Sequence, residues 1–292
     1  MTSKTLAAAL VLCGLSATAC GGVAAGAGSA RTGGAASPAA PPIRTAPAAS
    51  SGSSSAQATP AAGGSATTLP LSGKVVVVDP GHNGQNYRHP SKINKRVNVL
   101  TQWKSCDTTG TVTPSGYSEA AFTWDVSQRL VKILKSRGAT VKLTRPDNAG
   151  VGPCITERAA IGNRAKADAA ISIHADGSGT ANHGFHIIMP KKINGPVDPV
   201  VGASGKLGLA VRNAYRAGTG VPYSTYIGSK AMNFRSDLGG LNLSTVPKVF
   251  IECGNMKNPG DAARFQDAAF RQKAASSLAE GLQNYLRQSY LK

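Results

Sequence analysis

The sequence predicts an α/β domain: a twisted, mostly parallel (mixed) sheet of about six strands with helices on both faces. Short apolar runs of strand length alternate along the chain with longer segments whose apolar residues recur at helical spacing. Three apolar runs also lead into a residue suited to chemistry, namely His82, His174 and Glu252. Open α/β sheets place their sites beyond the carboxyl ends of their strands, so we expect these side chains to meet in one crevice.

The individual elements follow from local patterns. The first predicted strand is the valine run at 74–79, and a helix is predicted over 118–137 because Ser118 can cap it and Gly138 can end it. The remaining predicted strands cover 139–144, 169–174, 183–189 and 247–252, with another near 224–235. The remaining predicted helices cover 154–167, 200–217 and 261–290, the last in one piece or two.

Glu119 stands in the first turn of the 118–137 helix, on the same inward face as Phe122 and Val126. An unpaired buried carboxylate is unfavourable, so this side chain needs a partner. The 36 residues between His82 and Glu119 are polar and basic and lack a strong helical pattern. A loop of this length is usually functional or disordered, and we expect this insertion to shape or partly cover the crevice.

The chain divides into a signal peptide (1–19), a tether rich in Ala, Gly, Ser and Pro (20–72) and a folded domain (73–292). Lys4 precedes a short apolar run, and Ala17-Thr18-Ala19 fits a small-x-small cleavage pattern. Residues 1–78 contain no Asp or Glu and too little apolar surface to form a core, whereas all 14 acidic residues follow. The protein is therefore predicted to be exported to the periplasm, the cell wall or the medium.

Cys20 follows the cleavage pattern directly and leaves two outcomes open. Acylation of Cys20 would anchor the protein by lipid to the outer face of the plasma membrane. Ordinary processing would instead release a freely secreted protein. The second outcome is slightly favoured, because Ala17 stands where a lipoprotein signal has Leu, Val or Ile.

The formal net charge of +18 would suit nucleic acid, but export argues against that partner. An exported basic domain meets polyanionic wall polymers and peptide carboxylates instead, and it would concentrate on them. The alternative is that the charge only keeps the protein in solution.

Cysteine usage fits an oxidising compartment. Cys13 leaves with the signal peptide and Cys20 lies outside the domain. Cys106 lies in a polar loop and Cys154 just before a helix, so these two are predicted to form a disulfide. Cys253 follows an apolar strand and is predicted to be a buried thiol.

Four motifs occur in order along 74–292: Asp79-Pro80-Gly81-His82, the helix-borne Glu119, Ser172-Ile173-His174-Ala175-Asp176, and Val246-Pro247-Lys248-Val249-Phe250-Ile251-Glu252 followed by Asn258-Pro259. This set resembles the zinc-dependent N-acetylmuramoyl-L-alanine amidases, and the small single-domain actinobacterial members are the most similar.

The resemblance implies that His82, Glu119 and His174 bind Zn²⁺ and leave the fourth position to water. It implies that Glu252 is the catalytic residue, accepting a proton from that water and returning it to the leaving nitrogen. The implied substrate is peptidoglycan. Zinc-activated water would hydrolyse the amide bond between N-acetylmuramic acid and L-alanine of the stem peptide.

The resemblance also bears on residues outside this set. The family usually has Gly where this chain has Asn83, and Asn where it has Asp176, so the departures concern substrate contacts rather than the implied ligands. Arg158 falls on a family segment to which we assign structural support. His186 is expected to contact substrate rather than metal.

Two other readings stay open. A zinc peptidase would cut within the stem peptide, but its usual short His-x-x-Glu or His-Glu-x-x-His ligand pair does not occur in this sequence. A non-catalytic wall-binding or regulatory protein on the same fold would have lost at least one of the four residues. With no further wall-binding repeat visible, the domain is expected to act alone, as a monomer.

Overall fold

The computed structural model describes residues 68–288, and the predicted signal peptide, Cys20 and most of the tether lie outside them. The strands are β1 (Val75–Pro80), β2 (Arg96–Asn98), β3 (Trp103–Ser105), β4 (Thr140–Leu143), β5 (Ala169–Asp176), β6 (His186–Pro190), β7 (Met232–Arg235) and β8 (Lys248–Asn255). Six of them form one sheet in the order β4-β1-β5-β8-β6-β7, and β2 pairs with β3 in a separate hairpin.

The sheet is parallel from β4 to β8 and changes direction once, where β6 runs antiparallel to β8. β7 then pairs parallel to β6. This confirms the predicted mixed α/β sheet of six strands. The hairpin formed by β2 and β3 was not predicted, because strands of three residues are too short to show a period of two.

The helices are α1 (Pro90–Ile93), α2 (Glu119–Ser136), α3 (Ile155–Arg164), α4 (Val201–Thr219), α5 (Gly239–Asn242), α6 (Pro259–Gln266) and α7 (Ala268–Gln288). The predicted caps of α2 are present: the Ser118 side chain accepts a hydrogen bond from the Ala121 amide, and Gly138, just beyond the helix, has φ of +92°. The two short helices α1 and α5 were not predicted. In the described part of the chain, no helix is both long and apolar enough to cross a bilayer.

The main core lies on one face of the sheet, where α2, α4 and α7 pack. Its members include Val78 of β1, Ile173 of β5, Ile251 of β8 and Leu130 of α2, all fully buried. Leu71, which the sequence assigns to the tether, is also fully buried in this core. Its amide donates a hydrogen bond to the Arg137 carbonyl, 2.8 Å away.

The other face carries the polar strand residues. Because successive strand residues point to opposite sides, Asp79, His174 and Glu252 face away from the main core. A much smaller apolar cluster around Val77 and Ala170 underlies this second face. Helices therefore cover both faces, with α3 and α5 on the second one, and the polar residues of the second face form the candidate site.

Candidate active site

The three predicted metal ligands lie together near the carboxyl ends of the inner strands β1 and β5. His82 follows the end of β1, His174 lies near the end of β5, and Glu119 is the first residue of α2. Nε2 of His82 is 3.2 Å from Oε1 of Glu119, and Nδ1 of His174 is 3.0 Å from the same oxygen. One ligand atom from each residue lies within 4.8 Å of the others, so a single cation could contact all three.

Backbone amides hold the Glu119 carboxylate in place. Oε1 accepts from the Ala175 amide at 3.2 Å, and Oε2 accepts from the Thr111 amide at 3.0 Å. Since Glu119 begins α2, its charge also lies at the helix N-terminus, where a negative group is favoured. These contacts satisfy the buried carboxylate and fix its direction before any cation is bound.

Two glycines allow the ligands to approach one another. A Cβ on Gly81 would lie 2.3 Å from the His174 ring, and a Cβ on Gly110 would lie 2.8 Å from Oε2 of Glu119. His82 itself has φ of +58°, a left-handed conformation that is uncommon outside glycine. The backbone after β1 is therefore shaped to turn the His82 ring toward Glu119.

The His174 ring is held from its other side. It stacks on Phe250 of β8 with 5.3 Å between ring centroids and 15° between planes. Beside the two histidines, Phe250 and Gly240 line a hollow to which the insertion contributes Lys104 and Ser105. The insertion thus helps to shape the groove, as its length and position led us to expect.

Negative charge is concentrated around His82. Burial alone would lower the pKa of His82, but Glu119 and Asp107 outweigh burial and raise this pKa to about 10. Burial alone would raise the pKa of Glu119, whereas His82 and His174 bring it well below its ordinary value. Surroundings that stabilise a protonated imidazole also attract a metal cation, since both place positive charge beside the same carboxylates.

Glu252 of β8 lies next to this cluster. Its Cα is paired with that of His174 across the parallel β5–β8 register. Its Oε2 is inaccessible to solvent and has no hydrogen-bond partner among the described residues. Burial, followed by the charges of Glu119 and Asp176, raises the pKa of Glu252 well above its ordinary value. This side chain therefore favours holding a proton when no cation is near.

His186 lies beside Glu252 on the neighbouring strand β6. The two residues are Cα partners across the antiparallel β6–β8 pair. His186 is 2% exposed, and burial lowers its pKa to about 4. Its Nδ1 has no partner within the part of the chain that the structure describes. His186 does not belong to the group that could hold a metal ion.

A buried ion cluster underlies the site. Asp79 pairs with Arg158 at 2.9 Å and with Lys248 at 2.9 Å, and it accepts hydrogen bonds from Thr144 and Ser172. Of these residues, only Arg158 was expected from the sequence to have a supporting role. The sequence does indicate that Asp79 and Lys248 need partners, because both interrupt apolar strands and a buried charge must be paired.

The cysteines are arranged as expected. Cys106 and Cys154 form a disulfide that joins the insertion to the start of α3. Cys253 is buried and forms no disulfide with any cysteine in residues 68–288. Its sulfur lies in the main core, where burial raises the pKa of the thiol.

Comparison with known proteins agrees with this geometry. Residues 76–284 match the family model for N-acetylmuramoyl-L-alanine amidase. The chain is 38% identical over 224 residues to N-acetylmuramoyl-L-alanine amidase Rv3717 of Mycobacterium tuberculosis, an alignment that covers 76% of this chain and 90% of the relative.

Two solved structures resemble the fold closely. The Ami1 amidase of Mycobacterium smegmatis matches with a TM-score of 0.70 and 37% identity, covering 75% of this chain and 99% of that one. The apo Ami1 amidase of Mycobacterium abscessus matches with a TM-score of 0.69 and 41% identity, covering 74% and 100%. The chain belongs to the N-acetylmuramoyl-L-alanine amidase family.

Proposed function

We propose that this peptidoglycan amidase uses zinc held by His82, Glu119 and His174, with Glu252 as its general base. The bond cleaved is the amide between the lactyl carbonyl of N-acetylmuramic acid and L-alanine of the stem peptide. The main support for the proposal is that one ligand atom from each of the three residues lies within 4.8 Å of the others, and that Glu252 is the Cα partner of His174 on the next strand.

The donor set fits zinc. Two imidazole nitrogens and one carboxylate oxygen are a common ligand set for catalytic zinc, which keeps one position open. His82 and Glu119 line the same open cleft as Glu252, so the side chains that would bind the cation are reachable by substrate. Zinc bound there would supply a Lewis acid that polarises the scissile carbonyl and makes a water acidic.

Glu252 is suited to carry the proton. As the water oxygen bonds to the carbonyl carbon, the carboxylate accepts a proton from the water. It returns a proton to the alanine nitrogen as the C–N bond breaks, which leaves a lactyl carboxyl group and a free amine. The unpartnered Oε2 supports this role, because no hydrogen bond from residues 68–288 holds that oxygen.

The cellular setting follows from this substrate. Peptidoglycan lies outside the cytoplasm, so the protein acts at the cell wall or in the surrounding medium. The domain is proposed to act as a monomer, with the complete ligand set and base on one chain. Membrane anchoring through Cys20 stays a prediction, since Cys20 lies outside the described residues.

Product analysis tests the reaction. The purified protein is incubated with muramoyl-peptide fragments and the products are identified by mass spectrometry. An amidase releases a peptide with a free L-alanine amine and leaves the sugar without any amino acid. A peptide fragment that lacks L-alanine, with L-alanine still on the sugar, would identify a peptidase instead. Intact substrate after long incubation with zinc-loaded protein would favour a binding protein.

A further inference from the structure

Two of the three oxygens around Nδ1 of His82 can only accept a hydrogen bond. The Thr108 carbonyl oxygen lies 3.1 Å from Nδ1, the Thr108 hydroxyl oxygen 3.2 Å and a carboxylate oxygen of Asp107 3.4 Å. Carbonyl and carboxylate oxygens can only accept, so Nδ1 carries the hydrogen. In the neutral imidazole the lone pair is then on Nε2, the nitrogen that faces Glu119.

Asp107 is itself fixed from three directions. One carboxylate oxygen accepts from the Thr108 amide at 2.7 Å, and the other accepts from Arg158 at 3.1 Å. Its own amide donates to the Ile93 carbonyl at 3.1 Å. With 5% of its surface exposed, this carboxylate has a single buried orientation. The Asp107 contacts therefore determine where the acceptors around Nδ1 lie.

Arg158 ties Asp107 to the backbone that carries His82. Besides Asp107, its guanidinium donates to the His82 carbonyl at 2.9 Å and to the Pro80 carbonyl at 2.7 Å. The same group pairs with Asp79 at the end of β1. One buried cation thus holds the carboxylate and the ring-bearing segment in a fixed relation.

The disulfide joins the two segments that supply these groups. Cys106 immediately precedes Asp107, and Cys154 is the residue before α3, which carries Arg158. The Cys106 carbonyl also accepts from the Ile155 amide at 2.8 Å. Without the bridge, the Cys106–Asp107 segment would keep this hydrogen bond and the Asp107–Arg158 ion pair but would lose its covalent link to the start of α3.

We propose that Asp107 is a positioning residue for His82 and that the Cys106–Cys154 disulfide maintains its position, so that metal affinity depends on the bridge. This inference rests on the proposed metal site. Partners that bind the far nitrogen of a metal-ligating histidine fix its tautomer and orientation, and their loss weakens metal binding.

The first experiment measures the zinc dissociation constant of the full domain by competition with a chelator of known affinity. Asp107→Asn keeps the side-chain shape and one acceptor oxygen but removes the charge, and Asp107→Ala removes both. We expect zinc to bind about 10- to 100-fold more weakly to the alanine variant, with the asparagine variant between it and the wild type. Asp125→Asn is the matched control, because Asp125 of α2 pairs with Arg129 of α2 and Arg271 of α7 and is outside the group that could hold a metal.

A spectroscopic measurement separates positioning from general stability. Nitrogen chemical shifts of the His82 ring in zinc-saturated protein, where the ring is no longer doubly protonated, report which nitrogen carries the hydrogen. The wild type and Asp125→Asn should show the hydrogen on Nδ1, whereas Asp107→Ala should show a shifted Nδ1 signal whose hydrogen exchanges faster with water. A purely structural role would lower the melting temperature and leave the ring shifts unchanged.

The bridge is tested with Cys106→Ser/Cys154→Ser, which adds no new thiol ligand. Its zinc affinity should fall while its circular dichroism stays that of a folded domain. If this double variant does not fold, the same affinity is measured on wild-type protein whose bridge has been reduced and whose thiols have been blocked. Zinc affinity equal to that of the intact protein would show that metal binding does not depend on the bridge. Zinc affinity of Asp107→Ala within about threefold of the wild type would overturn the inference, while a wild type that binds no zinc would overturn the proposed function instead.

Discussion

The two carboxylates of the site differ in how many hydrogen-bond partners their oxygens have. Glu119 has two backbone donors and two histidines around it, whereas Oε2 of Glu252 has no partner in residues 68–288. A buried carboxylate oxygen without a partner is unfavourable, and ionisable groups in such surroundings are concentrated at functional sites. This contrast separates a carboxylate that is held still from one that is free to exchange a proton.

Replacing Glu252 with Gln tests this assignment. The change keeps the size of the side chain and removes its ability to accept a proton, so zinc should stay bound and the fold should hold. The rate of amide hydrolysis should fall by roughly 100- to 10,000-fold, the usual contribution of a positioned general base. Zinc content and rate are measured on the same sample. An unchanged rate with zinc in place would exclude Glu252 as the base.

The ligand set is tested by His174→Ala. Removal of one of three ligands should abolish tight zinc binding, so protein purified without added metal should drop from about one zinc per chain to little or none. His183→Ala is the matched control, since His183 contacts the Ala181 carbonyl and is outside the group that could hold a metal. Equal zinc content in the two variants would show that His174 is not a ligand.

Residues at strand ends could be predicted from the sequence because the fold class brings those ends together. His82, His174 and Glu252 follow this rule, and they lie side by side in the structure. Asp107 could not be found in this way, because its position depends on the path of an insertion without a periodic pattern. The partners of Asp79 come from β8 and α3, far away along the chain, so a single sequence shows that a partner is needed but not which one.

At the scale of elements, the close approach of β1 and β5 makes the site. Gly81 donates its amide to the Ile173 carbonyl at 3.0 Å, continuing the strand pairing past the end of β1. Its missing side chain is the space that the His174 ring occupies. The long strands and helices were predictable from their apolar periodicity, whereas the hairpin and the short helices depend on tertiary contacts that a short sequence window does not contain.

Gly81→Ala should therefore damage the metal site more than the fold. The added methyl group would overlap the His174 ring, so the ring must leave the position in which its Nδ1 contacts Glu119. We expect zinc affinity to fall by about 10-fold or more, while the melting temperature changes modestly. Gly202→Ala in α4 is the control, because a Cβ there meets nothing within 4 Å and alanine favours a helix. Equal zinc affinities would show that the ring has room to adjust.

At the scale of the whole molecule, charge is distributed unevenly between surface and interior. The full sequence carries a net charge of +18, which favours approach to anionic polymers and carboxylates. Inside the domain, Asp79 is the centre of a buried cluster of opposite charges that connects β1, α3 and β8. Stability of the domain should therefore depend on pH through carboxylates such as Asp79.

The pH dependence has a definite sign. Burial alone would raise the pKa of Asp79, but Lys248, Arg158 and the Thr144 hydroxyl bring it far below its ordinary value. Because the pKa of Asp79 is lower in the folded than in the unfolded chain, its contribution is complete above about pH 4 and is lost as the pH falls below that value. Below pH 4, Asp79 alone should reduce the free energy of unfolding by up to about 1.4 kcal/mol per pH unit.

Urea unfolding of the metal-free protein between neutral and acid pH measures this effect without a contribution from metal release. Other carboxylates with lowered pKa values add to the wild-type slope, so the decisive quantity is the difference between proteins. Asp79→Asn should be less stable at neutral pH, because Lys248 and Arg158 lose a buried partner. Its free energy of unfolding should also decline less steeply with falling pH below about pH 4. The difference in slope corresponds to roughly one proton fewer taken up on unfolding. Identical slopes would mean that Asp79 titrates in the folded domain as it does in the unfolded chain, and that the cluster does not hold its charge.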